Sequence, residues 1–477
     1  MQEVPDGAGK NAARSKWLAL VAMGLGVFLI ANDFTALSVA IPRIESDLHT
    51  TLNRAQWVIN GYALVFGVLI VTGGRLADMF GRKRMFMVGA TIFGAFSLLA
   101  GLMPTAELLI ACRALMGAGG AIVWPAVLGL TYMILPANKK GLAGGLILGV
   151  AGLGNAVGPL LGGWLTDVST WRLVFFINLP ITALAMIVTA REVPESPREN
   201  QHQGIDYPGI AALSAGAVAI LVGLDLGADG GFGRPLIVGL LTAGVLLLGA
   251  FALVERHQGA RALVPAAVLR SHVFAAACTV VLLMSAIFFS ALIFLPQFLQ
   301  KVLGYSALRS GAGLLPMMGT FAVSSFAAGW AYRRVGPKTV VSAGSALLAA
   351  GIFWLSWLGP ASAYGSLVPG MMVLGAGVGL FYSSVTTAAV TALDPAQASL
   401  AGGIVYMCQI AGGAIGLALN TAIVLSATQL TSGISLAFRI DAALAVAGTA
   451  LALRFIRRPG PNQAARSAPP AHHRVRI

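Results

Sequence analysis

The chain reads as an all-α integral membrane protein of about fourteen transmembrane helices, two six-helix bundles with two extra helices between them in chain order. Three observations predict this class. Charged residues make up 10% of the 477 and hydrophobic residues 57%, with a mean hydropathy of +0.83; a soluble domain carries about 25% charged residues, because its surface must be wet. Apolar windows of about 20 residues, long enough to cross roughly 30 Å of hydrocarbon as helices, recur along the chain. The short alternating segments of an outer-membrane barrel do not occur.

The windows fall at 17–42, 55–76, 84–102, 105–133, 141–166 and 171–191, then at 208–227 and 234–254, then at 273–299, 309–331, 338–358, 365–391, 399–426 and 435–457. The first has a basic front edge (Lys10, Arg14, Lys16), as a signal peptide has. It is too long for one and lacks a small-residue cleavage site before Pro42, so a retained helix is expected. Polar stretches at Arg191–Pro208 and Glu255–His272 punctuate the series. The expected plan is a cytoplasmic tail over 1–16, a six-helix bundle over 17–191, a linker carrying two helices over 192–272, a second bundle over 273–457 and a cytoplasmic tail over 458–477. Both tails are polar and read as disordered.

A net charge of +14 would suit a nucleic-acid binder, but its distribution does not. With the N-terminus inside, Lys10, Arg14, Lys16, Arg75, Arg82, Lys83, Arg84, Lys139, Lys140, Arg191, Arg198, Arg256, Arg261, Arg270, Arg333, Arg334, Lys338 and the arginines from Arg454 onward all fall on the inner side. The outer side receives only Arg43, Arg54, Arg172, Arg234, Lys301, Arg309 and Arg439. An even number of crossings returns the C-terminus inside as well. The basic excess is therefore a topology signal of a bacterial cytoplasmic membrane, with lipid and not nucleic acid as the partner. Cys112, Cys278 and Cys408 all lie in apolar windows and read as small buried hydrophobes.

Asp33 is the informative residue. It stands in A-N-D-F-T-A-L-S with apolar chain on both sides. A carboxylate there costs about 2.5–3.5 kcal/mol on insertion scales and normally faces a bundle interior. Arg113, in the fourth window, is its natural partner. Both lie about nine residues from the same membrane face, some 13 Å deep at 1.5 Å per residue. An arginine cannot be neutralised, so it needs an anion or water. Such a pair suits proton exchange at Asp33; the plainer reading is a static anchor between helices.

The loop G-R-L-A-D-M-F-G-R-K-R gathers Gly74, Asp78, Gly81, Arg82, Lys83 and Arg84 at one membrane edge, with Gly81 free to make the turn. Asp78 is expected to accept from arginine or from a helix N-terminus, forming a gate latch. A degenerate copy, G-W-A-Y-R-R-V-G-P-K, stands at Gly329–Lys338, the weak echo that repeated transporter halves leave. In the fifth window Gly154, Gly158 and Gly162 at spacing four, with Gly163 adjacent, permit close helix approach, and Pro159 permits a bend. No strand precedes these glycines and no Gly-Lys-Ser/Thr occurs, so they are not a nucleotide loop. Asn32, Trp57, Tyr62, Phe288, Gln297 and Gln409 are the expected lining of a substrate cavity, although each taken singly also reads as packing. No metal motif, carboxylate pair or Ser–His arrangement marks an enzyme, and no cofactor is expected beyond a proton gradient.

These motifs, taken in order over about 17–457, resemble the major facilitator superfamily, in particular its fourteen-helix drug:proton antiporter branch. Gly74, Leu76, Ala77, Asp78, Gly81, Arg82 and Lys83 match the superfamily's loop between helices 2 and 3. Arg113, Gly117 and Gly119 resemble its helix 4 motif, linked to proton transfer. Gly154, Gly158, Pro159, Gly162 and Gly163 match the antiporter motif of helix 5. Asp33, Thr35, Ala40 and Pro42 resemble the helix 1 motif, and Trp171, Arg172, Phe175, Asn178 and Pro180 the start of helix 6. Met116 stands where the helix 4 motif usually has Gln, Ala36, Leu37 and Ser38 replace Ile-Val-Asn, and the second copy of the loop lacks its acid.

The resemblance implies proton-driven efflux of small lipophilic or cationic compounds by alternating access, acting as a monomer. Its rivals are an exporter or importer dedicated to one metabolite on the same fold and, from another class, a membrane-embedded sensor or enzyme. Asp394 and Asp441 read as lying near segment ends, which leaves Asp33 as the sole central acid. One proton per cycle then follows, worth about 2.3 kcal/mol per 100 mV, roughly a 40-fold gradient. A neutral or monocationic substrate follows too, because a dication would need a second acid.

Overall fold

The computed structural model describes residues 6–50, 52–136, 139, 141–195, 207–230, 233–258, 268, 271–305, 307–394 and 397–455. The C-terminal tail from 458, and the middle of each linker, lie outside the described residues. Fourteen long helices and no strand occur among those described. The first six are α1 (Asp6–Asp47), α2 (Leu52–Phe80), α3 (Arg82–Leu102), α4 (Ala106–Ile134), α5 (Gly141–Val168) and α6 (Asn178–Glu192), the last preceded by a single turn at Leu173–Phe176. A pair follows, α7 (Tyr207–Gly230) and α8 (Pro235–Gln258). The remaining six are α9 (His272–Lys301), α10 (Leu315–Val335), α11 (Pro337–Leu355), α12 (Tyr364–Thr391), α13 (Ala398–Ser426) and α14 (Leu430–Phe455).

Helix α1 corrects one expectation. It runs from Asp6, so 6–16 is helical and not a disordered tail. Nucleation is the costly step of helix formation; once the apolar segment is wound, further turns add one hydrogen bond per residue fixed.

Twelve of the helices are long and apolar enough to span a bilayer. The exceptions are α7, whose apolar stretch is short, and α10. Helix α10 carries Thr320, Ser324 and Ser325 along its length and Arg333 and Arg334 in its last turn. Thr320 and Ser324 donate back to carbonyls of their own helix at 2.8 and 3.1 Å, which keeps their hydroxyls satisfied away from water. Trp17, Trp164, Trp330, Trp354 and Trp357 are exposed, as amphipathic rings near the ends of membrane spans are.

The two sixes share one packing scheme. Helix α2 packs on α4, α1 on α5 and α3 on α4; their counterparts α10 on α12, α9 on α13 and α11 on α12 do the same. The backbone repeats as well: Gly81 before α3 and Gly336 before α11 have φ of 99° and 86°, a region where a side chain would be strained. The halves meet through α5 on α10 and α12, and through α2 on α13. Helix α12 is the most enclosed, with 83% of its spanning window buried, whereas α8 has 11%. The extra pair is thus central in sequence but lies on the flank, α7 touching α2 and α13 while α8 turns an apolar surface outward.

Candidate functional site

Asp33 of α1 and Arg113 of α4 are both fully buried, and Arg113 Nη1 donates to Asp33 Oδ2. The other carboxylate oxygen accepts from Asn178 Nδ2, on the first turn of α6, at 3.1 Å. That amide nitrogen also reaches Ser97 Oγ of α3 at 3.1 Å, and Ser97 donates to the Phe175 carbonyl at 2.9 Å. Arg113 Nε donates to the Val58 carbonyl of α2 at 2.9 Å, and its guanidinium carbon lies 4.3 Å from the centre of the Tyr62 ring. Five helices therefore hold one ion pair. Burying two charges is costly and is offset only where mutual attraction is joined by further hydrogen bonds and by a ring face, as here. Arg113 Nη2, the Tyr62 hydroxyl and Asn32 Oδ1 remain buried without partners. Met116 offers Arg113 only a thioether sulfur at 3.9 Å, a weak acceptor in the place where the resembled motif has an amide.

The loop after α2 joins the halves. Arg82 Nε donates to Asp78 Oδ1 at 2.9 Å, and Leu400 N, in the first turn of α13, donates to Asp78 Oδ2 at 2.9 Å. An anion at a helix N-terminus meets unpaired N–H groups and the positive end of the dipole. Arg82 Nη1 continues to the Gly129 carbonyl at 3.3 Å, and Lys83 caps α6 through the Ala190 carbonyl at 2.9 Å. Gly74 lies flat on the Ser399–Leu400 backbone, where an added Cβ would stand 2.7 Å from the Ser399 carbonyl oxygen. At the same end Tyr132 donates across the halves to Thr387 at 3.1 Å. Arg75 interacts electrostatically with both Asp78 and the buried Glu255 of α8, which links the extra pair to the loop.

Helix α5 runs unbroken through Pro159 with glycines on two faces. Added Cβ atoms at Gly154, Gly158 and Gly162 would meet Ala31 at 3.0 Å, Thr35 Oγ1 at 2.0 Å and the Ala36 carbonyl at 2.1 Å, all on the turns of α1 that flank Asp33. Gly163 is buried beside them. Toward the second half, Cβ atoms at Gly144 and Gly145 would meet the carbonyls of Ser383 (α12) and Ser325 (α10) at 2.3 and 2.6 Å. One helix thus presses on the Asp33 turn with one face and on the opposite half with the other.

Of the expected cavity residues, Tyr62 and Phe288 lie in two separate aromatic groups. Tyr62 stacks on Phe66 with centroids 5.9 Å apart and meets Phe34 edge-on at 5.2 Å. Phe66 and Trp124 then contact Tyr406 of α13 at 5.5 and 4.5 Å, carrying the group across the halves. Phe288 meets Phe289, Phe321 and Tyr382. Asn32 is buried behind Asp33. Trp57, Gln297 and Gln409 are half-buried, and no described ring contact or hydrogen bond joins them to either group.

Asp441 overturns the count of one central acid. Helix α14 starts at Leu430, five residues before the apolar window, so Asp441 lies well inside it and is fully buried. The single-proton stoichiometry and the exclusion of dications both lose their premise. Cys278 and Cys408, read as small buried hydrophobes, are only half-buried and lie side by side between α9 and α13.

The architecture is that of a multi-pass helical transporter with a repeated six-helix unit. The chain belongs to the Major Facilitator Superfamily, whose model matches residues 23–417 and 317–476. It is 32% identical over 403 residues to the tetracenomycin C resistance and export protein of Streptomyces glaucescens, covering 84% of this chain and 75% of that one. Identity to the puromycin resistance protein of Streptomyces alboniger is 35% over 418 residues, covering 87% and 82%. The cephamycin export protein of Amycolatopsis lactamdurans matches end to end, 32% identical over 473 residues with 97% of each chain covered. Among solved structures the proton:xylose symporter XylE aligns with a TM-score of 0.65 at 14% identity, over 94% of this chain and 97% of that one, a likeness of fold alone.

Proposed function

We propose that this protein exports small lipophilic compounds, antibiotics among them, from a bacterial cell in exchange for protons, with both termini on the cytoplasmic side. The observation that carries the reading is the buried Asp33–Arg113 pair, whose helix α1 packs on α5, the helix that meets the second half. With Asp33 ionised, each charge of the pair meets its opposite. A proton on Asp33 removes the anion and leaves a permanent cation in a dry site, a state the bundle relieves by letting Arg113 reach water or another acceptor. The turn carrying Asp33 lies against α5, whose far face touches α10 and α12, so rearrangement there bears directly on the interface between halves. In this conformation the halves are latched at the Asp78 end, through Leu400 and Tyr132–Thr387, which leaves release toward the opposite side as the accessible step of alternating access. The relatives named for resistance and export supply the direction.

A dedicated exporter of one product is the second reading, favoured by relatives named for single compounds such as tetracenomycin C and cephamycin. Expression in a drug-sensitive host is expected to confer resistance to several of puromycin, lincomycin, tetracenomycin C and ethidium, and a protonophore is expected to abolish the underlying efflux. Protection against a single compound selects the second reading. Efflux that survives collapse of the proton gradient contradicts both.

A further inference from the structure

The second half of the molecule holds an acid with donors but no cation. Asp441 of α14 is fully buried, and Asn420 Nδ2 of α13 stands 3.0 Å from each of its oxygens. The Ser290 hydroxyl of α9, buried with no hydrogen-bond partner, faces the same carboxyl. Helix α14 packs on α9, α11 and α13. Helix α9 carries His272 and Lys301 only at its two ends, α11 carries Lys338 in its first turn, and α13 has no charged residue. Arg439, on α14 itself, is exposed. Asp33, by contrast, faces Arg113.

An ionised carboxylate buried without a counter-charge is far costlier than a neutral acid. The neighbouring amide adds a second argument. Asn420 Oδ1 is buried and has no donor. A protonated Asp441 brings an O–H donor into a pocket where Asn420 Oδ1 is an unsatisfied acceptor, while Asn420 Nδ2 still donates to the carboxyl. The ionised acid has no proton to give and leaves that oxygen orphaned. The repeat places this group opposite the first one. Helices α1 and α6 hold Asp33 and Asn178; their counterparts α9 and α14 hold Ser290 and Asp441, with the acid moved to the other helix of the pair.

We infer that Asp441, held by Asn420 and faced by Ser290, is a second proton-binding site, loaded in this conformation while Asp33 is paired with Arg113. A cycle then carries two protons, one in each half. Loading forms one O–H bond with a proton taken from water on one side, and release returns that proton to water on the other. For an uncharged substrate a second proton squares the concentration ratio that one proton sustains. The occupancy of the site stands on its own geometry; its part in transport rests on the proton-driven reading above.

Infrared difference spectra of the purified full-length protein, between acid and alkaline buffer, read the carbonyl stretch of buried protonated acids. Wild type and Asp33→Asn are expected to show such a band at neutral pH, and Asp441→Asn to lack it. Ser290→Ala, which leaves acid and amide in place, is expected to shift the band, and decides the matter alone if Asp441→Asn does not fold. A band that Asp441→Asn leaves unchanged, or that Ser290→Ala fails to move, overturns the site. In proteoliposomes carrying ethidium, the proton-to-ethidium ratio is expected to fall by half in Asp441→Asn, and an unchanged ratio overturns the two-proton cycle. Wild type that moves ethidium without protons defeats the proton-driven reading and leaves the infrared result standing.

Discussion

Arg113→Leu is expected to abolish transport and to lower thermal stability sharply. The substitution leaves Asp33 buried with only Asn178 to meet it, and removing one partner of a buried ion pair costs about 3–5 kcal/mol. The loss includes the hydrogen bond to the Val58 carbonyl and the cation over the Tyr62 ring. Adding Asp33→Asn to Arg113→Leu removes the orphaned charge, so the double variant is expected to recover most of the stability and none of the transport. Thermal unfolding of the purified variants, beside efflux normalised to expression, separates the two effects. Equal stability of Arg113→Leu and wild type would contradict the buried pair. Transport by the double variant would contradict its role.

Gly162→Ala is the second large effect, from a single methyl group. Its Cβ would stand 2.1 Å from the Ala36 carbonyl oxygen and 2.8 Å from the carbonyl carbon, backbone atoms that cannot swing aside. Helix α1 must move away from α5, at an overpacking cost of about 1–3 kcal/mol, and the turn bearing Asp33 moves with it. Transport is expected to fall by at least tenfold, each 1.4 kcal/mol being about a factor of ten in an equilibrium or rate. Gly249→Ala on the outward surface of α8, where nothing lies within 4 Å of the new atom, is the control. It is expected to leave both stability and transport unchanged, since Ala outranks Gly as a helix former. Equal behaviour of the two variants would show that the α1–α5 contact is not limiting.

The helices and the ion pair were legible because lipid makes charge conspicuous. Fourteen apolar windows stand out against a chain with 10% charged residues, and two opposite charges at one counted depth invite pairing. The partners of Asp78, Arg82 and the N-terminus of α13, were legible for a related reason: an acid among basic residues at a membrane edge has few acceptable partners. Other parts were hidden by the same chemistry. Asn178, the second donor to Asp33, sits at the start of α6, where an amide reads as a helix end. Ser97 donates to a carbonyl from mid-helix and looks like any small packed residue. Trp124 and Tyr406 lie far apart in the chain, and only the folded halves bring their rings together. Asp441 was missed because L-T-S-G-I-S, polar by composition, winds as the first turns of α14 and carries the acid inward. Gly144 and Gly145 serve the interface between halves through the carbonyls of Ser383 and Ser325, contacts that no spacing within α5 announces.

The most direct measurement is substrate-stimulated proton movement in inverted membrane vesicles, followed with a pH-sensitive dye for wild type and Asp33→Asn at matched expression, using a compound to which the wild type confers resistance. A proton signal that the compound evokes in wild type, and that vanishes in a folded Asp33→Asn protein, is the predicted result. An equal signal from the variant would take Asp33 out of the mechanism and leave its pair with Arg113 a static joint.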